Sequence, residues 1–217
     1  MVKLIKRAAV LAALMTGSAG LAETNHFEVW LNPAITKSVS ERTEVELETA
    51  QRFRDAGEGG RDTYFFRLWV NHKATKNFTL SAGVEQNWND SQGEQRLLQQ
   101  ASYRFGVFRG RSRLEQRFVE DTDQTGFRFR QRVGVQVPLD EAGKWAAIAN
   151  AEGFFTLQST TNNGQTGLTG LRTILEVSHE LSDSLEVGLG YVRNQDIRKG
   201  RPDRVGHAPL LVLTVGL

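Results

Sequence analysis

Six arginines and a glutamate stand at every second position in two neighbouring stretches of the chain. The first stretch, RSRLEQR, spans residues 111–117, and the second, RFRQR, spans residues 128–132. Guanidinium groups at such a density do one of two kinds of chemistry. They bind phosphates, as in nucleic-acid sites, or they pair with carboxylates in buried networks. The residues between the arginines, and the destination of the chain, decide between the two.

A two-residue spacing is the period of a β-strand, in which successive side chains point to opposite faces. The positions between the charges hold uncharged residues such as Leu114 and Phe118 in the first stretch, and Phe127, Phe129 and Val133 in the second. Each stretch therefore predicts a strand with one charged face and one largely apolar face.

The N-terminus predicts export. Lys3, Lys6 and Arg7 precede an apolar run at residues 8–15, and small residues follow as far as Ala22. The run is shorter than the roughly 20 residues that a membrane-spanning helix needs. This order of basic, apolar and small residues is typical of a secretory signal peptide, so we expect residues 1–22 to be one and to be cleaved near Ala22.

Cleavage removes three basic and no acidic residues, which leaves 24 Lys and Arg against 25 Asp and Glu. A nucleic-acid-binding protein normally carries a basic excess, so no nucleic-acid partner is expected. The chain has no cysteine, which excludes disulfides and thiolate chemistry. Histidines and carboxylates are scattered, and we expect no metal site and no cofactor.

Ten amphipathic segments follow residue 42, separated by clusters of Gly, Asn, Asp and Ser. They lie at residues 43–54, 63–74, 78–88, 94–105, 108–119, 126–137, 145–157, 170–181, 184–194 and 207–217. A tilted strand needs about 9–11 residues to cross a bilayer, whereas strands of soluble proteins average about 5–6. The segments have the length of membrane-spanning strands.

Long polar connections alternate with mostly short ones, which is typical of an outer-membrane barrel. The sequence therefore predicts an all-β fold, an antiparallel transmembrane β-barrel of about ten strands at residues 43–217. Residues 23–42 would be an N-terminal lead-in or first strand, with the segment at 26–36 as a periplasmic or lumen-packing lead-in around Trp30. Twelve strands are the alternative, and either even number would leave both chain ends in the periplasm.

Charges on the inner face of such a barrel must be paired, because an unpaired buried charge costs several kcal/mol. We expect a packed ladder of lumen charges, in which the glutamates at positions 44, 46 and 48 also take part. Its members are Arg111, Arg113, Glu115, Arg117, Arg128, Arg130, Arg132, Glu152, Arg172 and Glu176. A substrate or ion path is the alternative role for these arginines.

Aromatic side chains near the ends of the predicted strands suit the two interfacial girdles of a barrel. The girdle residues that we expect are Phe78, Trp88, Phe118, Phe127 and Tyr191.

The motifs RSRLEQRF, RFRQR, NAEGFF and LEVGLGYV, followed by the terminal HAPLLVLTVGL, resemble the bacterial domain-of-unknown-function family numbered 2490. The resemblance extends from about Trp30 to Leu217. It implies an exported outer-membrane β-barrel with no assigned activity, and it leaves the function open.

We expect a structural or narrow-pore barrel, with a small-solute channel or transport component as one alternative. A lipid-modifying enzyme is another, and it would need a serine beside a histidine on the outer rim. The histidines of the mature chain are His26, His72, His179 and His207. No motif marks a nucleophile, so no catalytic residue is assigned.

The partners that we expect are outer-membrane lipid, lipopolysaccharide and the barrel-assembly machinery during insertion. The basic loop at 195–206 is either a contact to lipopolysaccharide phosphates or a solvated loop.

Overall fold

The computed structural model describes residues 23–54, 61–89 and 92–217, and the predicted signal peptide lies outside them. The described residues form eleven β-strands, and no helix among them is long and apolar enough to cross a membrane. The strands are β1 (Thr24–Ser38), β2 (Thr43–Arg54), β3 (Thr63–Thr75), β4 (Phe78–Asn89), β5 (Gln92–Phe105), β6 (Phe108–Val119), β7 (Gly126–Pro138), β8 (Trp145–Gln158), β9 (Gly167–Ser182), β10 (Leu185–Asp196) and β11 (Arg204–Gly216). Each of the ten predicted segments coincides with one strand from β2 to β11.

The strands close into one barrel in which chain neighbours pair antiparallel and β1 closes the ring against β11. The closing pair is parallel, with Trp30 opposite Leu210 and Leu31 opposite Leu211. The all-β barrel is confirmed. The strand number is wrong, because the barrel has eleven strands instead of the predicted ten or the alternative twelve.

The additional strand is β1, whose sequence carries a weak strand signal. Pro33 has no backbone N–H, and a proline inside an alternating run argues against a regular strand. The pairing of β1 with β2 skips Asn32 and Pro33, and the pairing with β11 continues through Pro33. An odd number of strands leaves the first and last strands parallel, so Thr24 and Gly216 lie at opposite ends of the barrel. The expectation of both chain ends on one side is therefore wrong.

Two kinds of connection define the two ends of the barrel. At one end, called here the long-loop end, strands β2, β4, β6, β8 and β10 finish, and the fully described connections there are 120–125, 159–166 and 197–203. The other, the short-turn end, carries those at 39–42, 76–77, 106–107, 139–144 and 183–184. The two-residue turn at 106–107 depends on Gly106, whose φ of 57° is in the left-handed region that favours glycine.

The alternation along each strand separates an apolar outer face from a polar inner face. Large apolar side chains are exposed on the outside, as with Leu189 at 65% and Phe108 at 61% of the full side-chain area. Among the described strands, the outer positions carry two charged residues, Lys37 and Arg193, both toward strand ends. The remaining charges of the strands lie in the lumen.

Candidate functional site

Strands β6 and β7 bring the arginines of the two opening stretches together. They pair antiparallel with Arg113 opposite Arg130 and Glu115 opposite Arg128. Because the charged positions alternate in both strands, all of them share the inner face. Like charges directly opposite each other are destabilising, so carboxylates must lie between the arginines.

Glu115 supplies the first of these carboxylates and is fully buried. One oxygen accepts a hydrogen bond from Nη1 of Arg130 at 2.8 Å, and the other accepts one from Nε of Arg128 at 2.7 Å. Nη1 of Arg113 lies 4.0 Å from Oε1. A single carboxylate thus faces three guanidinium groups.

Glu152 of β8 supplies the second carboxylate. Its oxygens accept hydrogen bonds from Nε and Nη2 of Arg130 at 3.0 and 2.9 Å. Nη2 of Arg132 donates at 3.0 Å, and Nη2 of Arg111 donates to the other oxygen. Arg130 therefore bridges Glu115 and Glu152, which suits the planar fork of a guanidinium.

A second network lies on the strands before β6. Glu85 of β4 accepts hydrogen bonds from Arg67 of β3 and Arg96 of β5. Arg96 also donates to Glu94, which in turn accepts a 2.5 Å hydrogen bond from Nε of Arg117. Of these residues the predicted ladder included Arg117 alone. The two-residue spacing of Glu94 and Arg96 was the sequence signal that could have added this network.

The remaining predicted carboxylates take different places. Glu48 accepts a 2.7 Å hydrogen bond from Nη1 of Arg67, and Glu46 accepts one from Asn71 at 3.0 Å. The Glu176 side chain lies against Gly188 on the neighbouring strand. Within the described residues, Glu176, Glu46 and Glu44 have no arginine within ion-pair distance.

Aromatic rings lie in the lumen beside the charged side chains. The guanidinium of Arg52 lies 3.9 Å from the ring centroid of Trp30 and 4.4 Å from that of Phe65. The guanidinium of Arg172 lies 4.7 Å from Trp30 and 4.9 Å from Phe154. These rings are buried, and a guanidinium over an aromatic face is a favourable cation–π contact. The alternation of Phe65, Arg67 and Trp69 on β3 was the available signal.

Three polar cavities lie in series along the lumen. A vestibule of about 340 Å³ at the short-turn end is lined by basic side chains that include Lys73, Arg104 and Arg109. A central cavity of about 170 Å³ follows, and an outer cavity of about 250 Å³ lies toward the long-loop end.

Arginines separate the three cavities. Arg111 and Arg132 line both the vestibule and the central cavity. The central and outer cavities share four lining residues, all of them arginines: Arg52, Arg67, Arg130 and Arg172. Any ion that crosses the lumen must pass both arginine layers.

The five side chains predicted as girdle residues lie on the outer face. Phe78 is near the short-turn end, and the other four are on the half toward the long-loop end. Tyr64 stacks beside Trp88, with ring centroids 6.3 Å apart. Further outward aromatic residues at the short-turn end are Phe105, Phe108 and Trp145.

The four histidines have partners other than serine in the described part of the chain. His26 is 2.9 Å from Glu28, and His72 is 3.0 Å from the hydroxyl of Thr43. His179 stacks on the outward ring of Trp145, and His207 stacks on that of Tyr191. The described residues contain no cluster of three or more potential metal ligands.

A family model described as "Protein of unknown function (DUF2490)" matches residues 27–205 of the chain. A search of curated proteins found no match to this chain. A solved structure described as "Unveiling the Mechanism Behind the in-meso Crystallization of Membrane Proteins" is similar, with a TM-score of 0.46 and 13% sequence identity. The similarity covers 82% of this chain and 78% of the other.

Proposed function

The chain belongs to the DUF2490 family of proteins of unknown function, as its motifs predicted, and from that starting point we propose that it is a narrow, anion-selective pore of the bacterial outer membrane. The observation that carries the proposal is the series of three lumen cavities bounded by arginine layers.

The outer surface supports insertion into a membrane. Monomeric soluble proteins rarely expose large contiguous apolar patches. Here aliphatic side chains such as Leu68, Val84 and Leu189 are exposed around the barrel, and the outward charges stay toward strand ends. A lipid environment would bury this surface, and the outward aromatic residues toward both ends would then lie at the two interfaces.

The connections support an orientation. Outer-membrane barrels keep short turns in the periplasm and longer loops outside, so the short-turn end would be periplasmic. The predicted signal peptide agrees with export, and insertion would need the barrel-assembly machinery. The loop at 197–203 would then meet lipopolysaccharide phosphates through its basic side chains at Arg198, Lys199 and Arg201.

The lumen supports anion selectivity. Rings of Arg or Lys side chains favour anions in pores, and the central and outer cavities each have more arginines than carboxylates in their walls. The central and outer cavities, at about 170 and 250 Å³, are smaller than the roughly 300–1,000 Å³ of pockets that hold drug-sized ligands. Small inorganic anions therefore fit the path better than larger solutes.

A structural barrel is the second candidate, and the ion-pair networks of Glu115, Glu152 and Glu85 favour it because they fill much of the lumen. A lipid hydrolase would need a histidine next to a serine hydroxyl on the outer rim. The histidine contacts described above are of other kinds, and we do not propose that activity.

Purified mature protein in detergent and in planar bilayers tests the proposal. A folded barrel should migrate differently on a gel before and after heating, and it should then carry a small current across the bilayer. Absence of the mobility shift would contradict the membrane barrel. A shift without any current would favour the structural candidate.

A further inference from the structure

The four arginines between the central and outer cavities fall into two kinds. Arg67 and Arg130 each form ion pairs with two glutamates. Arg52 and Arg172 form none with any residue that the structure describes, although they line the same two cavities. Two guanidinium groups thus lack an ion-pair partner where the central and outer cavities meet.

Two carboxylates close to these arginines already have other partners. Glu28, two residues from Trp30 on the same face of β1, accepts hydrogen bonds from Arg54 at 2.8 Å and from the indole of Trp30 at 2.6 Å. Glu152, opposite Arg172 in the pairing of β8 with β9, is held by the three arginines described above. Neither carboxylate is free to neutralise Arg52 or Arg172.

Aromatic rings hold both guanidinium groups in place. Arg52 lies between Trp30 and Phe65, and Arg172 lies between Trp30 and Phe154. Contacts to the ring faces leave the edges of a planar guanidinium, where its N–H donors lie, available to a ligand. Nε of Arg172 donates to Asn194 at 2.9 Å, and Nε of Arg52 is buried without a partner in the described part of the barrel.

We infer that Arg52 and Arg172 form a binding site for a small inorganic oxyanion of the phosphate or sulfate class. The site deepens the proposed pore function and rests on it, since the anion must enter through a mouth of the barrel. A bound oxyanion would compensate the two charges that lack carboxylates. Guanidinium groups match the oxygens of phosphate with pairs of parallel hydrogen bonds.

The surroundings restrict the ligand further. A water molecule occupies about 30 Å³ in the liquid, so the outer cavity of about 250 Å³ has room for a polyatomic anion together with water. The same cavity is lined by uncharged polar side chains, including Thr63, Asn87 and Asn194. These side chains can bond to anion oxygens. Chloride offers one charge and no oxygens, and it should bind more weakly.

The test uses the refolded full barrel in detergent, titrated with inorganic phosphate and with sulfate by calorimetry at constant ionic strength in chloride. We expect saturable binding with one site per chain. Arg52→Gln and Arg172→Gln should each weaken it by about tenfold. Arg42→Gln removes an exposed charge in the turn at 39–42 and should bind like the wild type. Absence of saturable binding, or an equal loss in the Arg42→Gln variant, overturns the inference.

Thermal unfolding gives a second measurement that does not depend on the variants being fully stable. A ligand that binds only the folded state raises the unfolding temperature. Phosphate should therefore raise the unfolding temperature most for the wild type, less for Arg52→Lys, which keeps the charge but loses the planar guanidinium, and least for Arg172→Gln. Equal stabilisation of all three proteins would contradict the site.

The two proposals can fail separately. Phosphate binding by a barrel that carries no current would keep the site and reject the pore. An anion-selective current without phosphate binding, unchanged in Arg52→Gln and Arg172→Gln, would keep the pore and reject the site.

Discussion

Arg130 forms a bidentate ion pair with Glu152, in which Nε and Nη2 donate hydrogen bonds to the two carboxylate oxygens at 3.0 and 2.9 Å. Both side chains are buried in the lumen. The remaining terminal nitrogen of Arg130 donates to Glu115, so one side chain connects β6, β7 and β8. The packing of three adjacent strands therefore depends on this one residue.

Arg130→Ala should destabilise the barrel more than it changes its selectivity. Removing one partner of a buried ion pair costs about 3–5 kcal/mol, because the other charge stays buried without full compensation. Urea unfolding in detergent, monitored by heat-modifiable gel mobility, measures the decrease in the free energy of unfolding. Arg42→Ala, in an exposed turn, is the control and should unfold like the wild type. Unchanged stability with an altered current would show that the network serves transport and not packing.

Gly83→Ala should destabilise the barrel through packing alone. A Cβ at this position would overlap the ring of Trp69, which stands opposite it in the pairing of β3 with β4, and the carbonyl of Leu68. Overpacking of this kind costs about 1–3 kcal/mol. Ala82→Ser changes a neighbouring residue on the outer face and serves as the control. If both variants unfold at the same urea concentration, the Trp69 ring is not packed as described.

Leu189→Arg should impair folding into lipid vesicles. Leu189 is highly exposed on the outer face, in the middle part of β10, and an arginine at the midplane of a bilayer costs about 2–4 kcal/mol in a barrel. Val39→Arg, also at an exposed apolar position but in the turn after β1, should fold normally. Equal folding yields of the two variants in vesicles would contradict the transmembrane assignment.

The loop at 197–203 should loosen in acid. Asp203 accepts hydrogen bonds from the backbone N–H of Arg198 at 3.0 Å and from Gln195 at 2.7 Å, and these bonds hold the pKa of its carboxyl below the ordinary value. Its contribution to loop stability is therefore present above about pH 4 and is lost as the pH falls through the lowered pKa.

Asp203→Asn should reproduce this loosening at neutral pH. Limited trypsin digestion would detect faster cleavage after Arg198 or Lys199 in the variant than in the wild type. Asp183→Asn, in the short turn between β9 and β10, is the matched control. Equal cleavage of the loop in all three proteins would show that Asp203 does not hold it.

The inner face of β6 and β7 could be read from the sequence because period two fixes which side chains share a face. The carboxylate that pairs with each arginine could not be predicted from the sequence, because contacts between strands depend on their register. Glu152 falls opposite Arg132 and is enclosed by arginines. Glu176 was expected to bridge arginines, but it stands opposite Ile148 and Gly190, and no arginine of the described residues lies within ion-pair distance of it.

The strand number and the lumen aromatics were harder to predict for physical reasons. Pro33 weakens the local strand signal of β1, and only closure of the barrel requires that segment to pair on both sides. Phe65 and Phe154 look like lipid-facing residues by type, yet their registers place them inside, where arginine side chains cover their rings. A large apolar residue on a charged face was the signal to follow.

The sign of the reversal potential in a KCl gradient tests the central claim most directly. The wild-type barrel in a planar bilayer should give a reversal potential of the sign set by chloride, since the two arginine layers would favour chloride over potassium in the lumen. Arg104 is exposed and lines the vestibule. The variant Arg104→Glu should move the reversal potential toward zero without a change in heat-modifiable mobility. A potential of the sign set by potassium, or no current from a correctly folded barrel, would contradict an anion-selective pore.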